Sequence, residues 1–61
     1  MANLTAKELS ALEDQLSMEQ LLIKKYKMVA GMASDQQIKT KCEQIAQKHQ
    51  EHFNRLMGHL N

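Results

Sequence analysis

Residues 5–32, TAKELSALEDQLSMEQLLIKKYKMVAGM, decide the fold of this chain. The segment opens with a capping box, in which the Thr5 hydroxyl can accept from the backbone amide of Glu8 while the Glu8 carboxylate accepts from that of Thr5. It contains no proline, and its apolar side chains recur in steps of three and four residues. Acidic residues lie early and lysines late, as the helix dipole favours. We therefore predict one long helix from about residue 6 to about residue 32.

A second helical segment follows a short turn at about residues 33–35. Either Ser34 together with Gln37, or Asp35 alone, can cap its first turn, and it continues from about residue 36 to about residue 58. The chain has 61 residues and contains no linker, repeat or low-complexity tract. The predicted fold class is therefore all-α, with the whole chain forming one antiparallel two-helix hairpin.

The apolar positions of the two helices match one another when the chain is folded about Ser34. In each helix they alternate steps of three and four, which is typical of left-handed antiparallel packing. Facing positions then have residue numbers that add up to 68. The predicted pairs are Leu9/His59, Leu12/Leu56, Leu16/His52, Glu19/His49, Ile23/Ile45, Tyr26/Cys42 and Ala30/Ile38.

The first helix carries more apolar side chains than one neighbouring helix can cover. Six of them lie beside the predicted seam: Met18, Leu21, Leu22, Met28, Val29 and Met32. At roughly 25 cal/mol per Å² of apolar area, leaving them in water would forfeit several kcal/mol, which is comparable to the stability of a small domain. A single cysteine excludes an internal disulfide as compensation. We therefore expect a homodimer that forms a four-helix bundle, or a larger homo-oligomer.

Composition argues against several classes of function. Eight Lys and Arg against seven Asp and Glu leave a net charge of +1, which disfavours a nucleic-acid binder. No apolar run approaches the roughly 20 residues of a membrane span, and no secretory signal is recognisable, so we expect cytoplasmic synthesis and no membrane span. No activated nucleophile, phosphate loop or oxyanion arrangement is visible, which favours a non-enzymatic protein without deciding the question.

Polar residues interrupt the seam where it should be driest. Glu19 lies mid-seam opposite His49, and His52 follows one turn later on the same face. A carboxylate in an apolar interior must be paired, protonated or bound to metal. One interpretation is that Glu19 and His49 pair with one another and set the helix register. The other is a metal site made of Glu19, His49 and His52, with Tyr26 beside the ligands and not among them. In a twofold dimer the doubled set would suffice for one or two Zn or Fe ions.

The same residues resemble half of a ferritin-like bundle. That superfamily takes a glutamate from one helix and a Glu-x-x-His pair from the next. Here Glu19 corresponds to the first, and His49 and His52 stand at the i, i+3 positions of the second. Because His49 replaces the family's glutamate, each half offers one carboxylate where the di-iron pattern uses two. The resemblance thus implies a metal-binding, possibly redox, bundle whose imidazole-rich site suits Zn²⁺ better than a carboxylate-bridged iron pair.

A second resemblance covers nearly the whole chain. The stretches EQLLIKKY at residues 19–26 and KHQEHFNRL at residues 48–56 are similar to the small two-helix proteins of the coat F-like spore coat family, a branch of the ferritin-like set. This resemblance implies a structural, non-enzymatic role in assembly of the spore coat, with other coat proteins as partners and the spore coat as location.

Overall fold

The computed structural model describes residues 3–60, which form two long helices and a short terminal turn. Helix α1 spans Ala6–Met32 and helix α2 spans Gln36–Met57, followed by one turn of 3₁₀ helix at Gly58–Leu60. The two α-helices run antiparallel and pack along their length, and no strand occurs among the described residues. The prediction of an all-helical hairpin is thereby confirmed.

Side-chain caps define where both helices begin. The Thr5 hydroxyl accepts from the backbone amide of Glu8 at 3.1 Å, and the Glu8 carboxylate accepts from the backbone amide of Thr5 at 3.0 Å. This is the predicted capping box. At the start of α2 the Asp35 carboxylate accepts from the amides of Gln37 and Ile38 at 2.8 and 3.2 Å. Of the two caps that the sequence allowed there, the chain uses Asp35.

The core of the hairpin is a single layer of side chains between the two helices. Its buried apolar side chains are Leu16, Ile23, Ala30, Cys42 and Ala46, and three of these five are small. The molecule measures 46 × 15 × 10 Å, and its radius of gyration is 14.3 Å, whereas a compact chain of this length would have about 10.5 Å. The hairpin is therefore a flat rod with most of its side chains at the surface.

Helix α2 turns a different side toward α1 from the one predicted. The prediction placed Ile38, Ile45, His52 and His59 in the seam, but Ile45 is half-buried and the other three are exposed. Ala46, which is not among the predicted seam positions, is buried instead. A strict seven-residue repeat drifts by about 20° per heptad on a straight helix, and the small Ala46 side chain lets the helices approach closely. Burial of Ile38, His52 and His59 in the seam was therefore a wrong prediction, although Nδ1 of His52 still lies 3.6 Å from Glu19 of α1.

Candidate metal centre

Three potential metal ligands meet midway along the hairpin. Glu19 projects from the middle of α1 and is only 5% exposed, while His49 and His52 project from successive turns of α2. The Nδ1 atom of His49 lies 2.6 Å from Oε1 of Glu19, and Nδ1 of His52 lies 3.6 Å from Oε2. One ligand atom from each of the three residues lies within 4.8 Å of those of the other two. The predicted opposition of Glu19 and His49 is confirmed.

Both carboxylate oxygens of Glu19 are engaged. An ionised carboxylate only accepts hydrogen bonds, so the Nδ1–H of His49 is the donor to Oε1. The side-chain amide of Gln15 donates to Oε2 at 3.1 Å from one turn earlier on α1. No buried side-chain oxygen or nitrogen among the described residues lacks a hydrogen-bond partner. The buried charge is thus compensated by the hairpin itself, as the pairing interpretation requires.

Opposing effects act on the pKa of Glu19. Burial raises it, because the charged form loses hydration. The hydrogen bonds from His49 and Gln15, together with the charge of both imidazoles when protonated, lower it by more, so that the pKa of Glu19 lies below its ordinary value of 4.5. The carboxyl group is therefore ionised at neutral pH, which is the form that binds a metal ion.

Ring contacts orient the two imidazoles. The ring of Tyr26 stacks on that of His49, with centroids 6.1 Å apart and planes inclined by 18°. The rings of His49 and His52 meet edge to face at 5.8 Å and 82°. Aromatic rings prefer such offset and edge-to-face arrangements. Tyr26 therefore lies beside His49, where the sequence prediction had put it, and restricts the rotation of that ring.

The three ligands open to one side of the hairpin. A groove beside Glu19 is lined by Gln15, Glu19, His52, Arg55, Leu56 and His59. The His49 side chain is 22% exposed, and that of His52, nearer the groove mouth, is 49% exposed. An ion could therefore enter the site without unfolding of the helices.

Apolar side chains flank this opening. Leu22 and Val29 follow Gln15 by one and two heptads on α1, and Ile45 and Ile38 precede His52 by one and two heptads on α2, so helical geometry puts them on the same side as the groove. We call this side the open face; it consists of Leu22, Val29, Ile38, Ile45, His52 and Leu56. The opposite side of the hairpin carries more polar side chains. Its grooves are bordered by Lys24, Lys27, Lys39, Glu43, Gln47 and Gln50, with Phe53 as a large apolar exception.

The geometry fits a tetrahedral metal after a small adjustment. Bonds of about 2.0–2.2 Å at a tetrahedral angle separate two ligand atoms by about 3.3 Å. The 3.6 Å between His52 and Glu19 is close to that value, whereas the 2.6 Å between His49 and Glu19 is a hydrogen-bond distance. A metal ion would replace the proton shared by those two groups and push them apart by about 0.7 Å. Three protein ligands would leave one position open.

One contributor to the site, Gln15, was missed by sequence reasoning. It lies four residues before Glu19, the spacing at which side chains of one helix face meet, and a Gln–acid pair at this spacing is a known stabilising combination. The spacing of Gln15 and Glu19 is visible in the sequence, but such pairs are common on polar helix surfaces and therefore do not mark a site. Cys42, predicted to be a small buried hydrophobe, is a buried free thiol.

Comparison with known proteins identifies no relative of this chain. The chain matches no protein-family model, no curated protein and no solved structure. Within residues 3–60, neither helix combines the length and the apolar character needed to cross a membrane.

Proposed function

We propose that this protein is a metal-binding hairpin that pairs with a second copy through its open face to form a four-helix bundle. Glu19, His49 and His52 hold the ion, and Zn²⁺ fits this set better than iron because two of three ligands are imidazoles. The observation that carries the proposal is the convergence of the three ligand atoms within 4.8 Å around a carboxylate that is only 5% exposed.

The surface of the hairpin supports pairing. Its accessible area is 4923 Å², whereas a globular monomer of this mass would expose about 4,000 Å². The excess of about 900 Å² is close to the roughly 800 Å² that each partner buries in an interface of standard size. Burial of the apolar open face between two copies would remove Val29 and Ile38 from water. Pairing there would bring the two ligand sets into one interior.

Titration with Zn²⁺ tests the metal proposal. Protein stripped with a chelator should bind Zn²⁺ in isothermal titration calorimetry. The metal would displace the hydrogen from Nδ1 of His49, and the neutral imidazole would then carry that hydrogen on Nε2. His52→Ala should weaken binding at least about tenfold, since a ligand is lost, while its exposed position keeps the apo hairpin folded. The same series with Fe²⁺ under anaerobic conditions tests the metal preference.

His59→Ala is the matched control, because His59 borders the same groove but lies outside the ligand cluster. It should bind Zn²⁺ as the unchanged protein does. If the His52 and His59 variants lose affinity equally, the assigned ligand set is wrong. If the unchanged protein takes up neither metal, the metal proposal is refuted and Glu19 and His49 form a structural pair only.

A second candidate function is the structural role in the spore coat that the family resemblance implies. The exposed apolar side chains favour it, because a protein that is incorporated into a larger assembly needs surface for other copies or for other coat proteins. This role is compatible with a bound metal that stabilises the bundle. It requires no catalysis.

Cell fractionation tests this second candidate. In a sporulating host that expresses the chain with a small epitope tag, the protein should be recovered from purified, washed spore coats. A tagged Ile38→Ser variant, altered on the open face, should be recovered there in a smaller amount. Equal recovery of both, or recovery from the mother-cell lysate alone, would contradict incorporation through this face.

A further inference from the structure

The side of α1 that faces away from α2 carries a second apolar stripe. Its positions alternate steps of four and three along the helix: Lys7, Ala11, Asp14, Met18, Leu21, Lys25, Met28 and Met32. We call this set the outer seam. Leu21, Met28 and Met32 are 61%, 66% and 79% exposed, so none of them contributes to the core of the hairpin. Three large apolar side chains this exposed along one stripe are typical of an interaction surface.

The outer seam is complementary to itself in the antiparallel direction. Every position in it has a counterpart within it whose residue number adds up to 39, so two copies of α1 that run antiparallel would meet in matched layers. The layers are Lys7/Met32, Ala11/Met28, Asp14/Lys25 and Met18/Leu21, each formed twice about a twofold axis. Alternating steps of three and four are the requirement for such packing.

The charges in the seam agree with this arrangement. Asp14 of one copy would face Lys25 of the other, and the twofold axis repeats the pair. Within the hairpin both side chains are exposed, and among the described residues neither has an ion pair or a hydrogen bond that would compete. In the parallel direction, like charges would meet instead. The small Ala11 would also leave room for the longer Met28.

We propose that the outer seam is a second self-association interface, in which α1 packs antiparallel to α1 of another copy. The open face lies on the flank of α1 between the outer seam and α2, so both surfaces can be occupied at once. A protomer with two different twofold interfaces assembles into closed groups of four or into extended chains. The inference therefore goes beyond a single bundle. Each hairpin would bind two other copies, as a protein that builds a larger assembly must.

A charge-swap experiment tests the outer seam. Sedimentation equilibrium of the chelator-treated protein should give an assembly mass above two chains of 7.0 kDa. Asp14→Lys places the new lysine opposite Lys25 of the other copy and should reduce the assembly to the dimer held by the open face, with the dissociation constant for the outer-seam step raised at least about tenfold. The double variant Asp14→Lys/Lys25→Asp restores both pairs with reversed polarity and should restore the mass.

Two further variants complete the test. Glu51→Lys makes the same change of charge on the exposed surface of α2 and should leave the mass unchanged. Leu21→Ser/Met28→Ser should leave the same open-face dimer as Asp14→Lys does, with the helical circular dichroism signal retained. The inference is refuted if Asp14→Lys leaves the mass as it was, or if the double swap fails to restore it.

Failure of the outer seam and failure of open-face pairing give different results. If the open face does not pair, the unchanged protein forms only dimers through the outer seam, and Asp14→Lys yields monomers. If only the open face pairs, the unchanged protein is a dimer that Asp14→Lys does not affect but Ile38→Ser dissociates.

Discussion

Glu19 is the residue on which most of the chemistry depends. Its carboxylate is buried at a cost in hydration, and His49 and Gln15 offset that cost by donating to both oxygens. Since the pKa of Glu19 lies below its ordinary value, the hydrogen bonds and imidazole charge outweigh the effect of burial. A carboxylate in this condition both stabilises the hairpin and is ready to bind a cation.

The lowered pKa of Glu19 predicts how stability depends on pH. In the folded chain this carboxyl binds its proton less readily than in the unfolded chain, so the unfolded state takes up more protons as the solution is acidified. The contribution of Glu19 is fully present above its unfolded pKa, near 4.5, and is lost as pH falls through the lower folded value. Chelator-treated protein should therefore lose stability below about pH 4.5.

Urea denaturation at a series of pH values measures this effect. The free-energy difference between the unchanged protein and Glu19→Gln should shrink as pH falls below about 4.5, because protonation removes the same charge that the substitution removes. Glu43→Gln, altered on the polar side of the hairpin, serves as the control and should follow the unchanged protein. A constant difference between the unchanged protein and Glu19→Gln across this range would show that the buried charge contributes nothing.

Sequence reasoning found the Glu19–His49 pair because both residues interrupt an apolar repeat at matching positions. It found Tyr26 through its heptad spacing from Glu19. It gave no indication that Tyr26 would stack on His49, because that contact depends on the rotation of both helices about their axes. The apolar repeat therefore predicted which residues face one another. It could not predict contacts that depend on side-chain conformations.

At the scale of the helices, the caps show what local sequence can decide. For the start of α1 one solution was predicted, the box at Thr5 and Glu8, and the structure contains it. For the start of α2 two caps were predicted, either Ser34 together with Gln37 or Asp35 alone. The structure uses Asp35, whose carboxylate reaches two free backbone amides and adds a favourable charge at the helix N-terminus.

This cap makes a matched pair of substitutions informative. Asp35→Ala should lower the free energy of unfolding by about 1 kcal/mol, since two backbone amides lose their acceptor. In a chain of this size, that loss corresponds to a fall of about 4–8 °C in the melting temperature. Ser34→Ala should change the melting temperature by far less. An equal effect of the two substitutions, measured by thermal melting followed by circular dichroism, would contradict the assignment of the cap.

The orientation of α2 is the element-scale feature that the sequence pattern misjudged. The seven-residue repeat of Ile38, Ile45, His52 and His59 is real, but in the hairpin it lies at the edge of the contact with α1 and leaves three of its four side chains exposed. The pattern reports that a side is apolar without stating which neighbour covers it. Under the proposed pairing, this repeat would be buried between two hairpins.

At the scale of the whole molecule, one hairpin is too thin to bury its own apolar surface. Its buried apolar side chains number only five, among them two alanines and a cysteine. Small domains without disulfides need a metal or a partner to be stable. Under the proposed function, the candidate metal centre and the open face would supply both, and they lie on the same side of the molecule.

Pairing through the open face predicts a melting temperature that depends on concentration. If unfolding is coupled to dissociation, raising the protein concentration a hundredfold should raise the melting temperature by several degrees, by mass action. Ile38→Ser should weaken that dependence and lower the melting temperature, because Ile38 is more than half exposed in the single hairpin and would be covered in the pair, while the outer seam is unchanged. Gln47→Ser, on the polar side, should retain the dependence. A melting temperature of the unchanged protein that is independent of concentration would contradict the pairing.

The amino-acid sequence by itself determined the two helices, their antiparallel packing and the opposition of Glu19 to His49. Propensity, caps and apolar spacing are local properties, and a hairpin with a short turn leaves its helices little choice of partner. Only the tertiary structure decided the rotation of α2, the exposure of His52, the share of Gln15 in holding the carboxylate, and the side to which the site opens. Those features depend on how closely the two helices can approach at Ala46. That distance is set by side-chain volume and packing, which the spacing of apolar residues does not reveal.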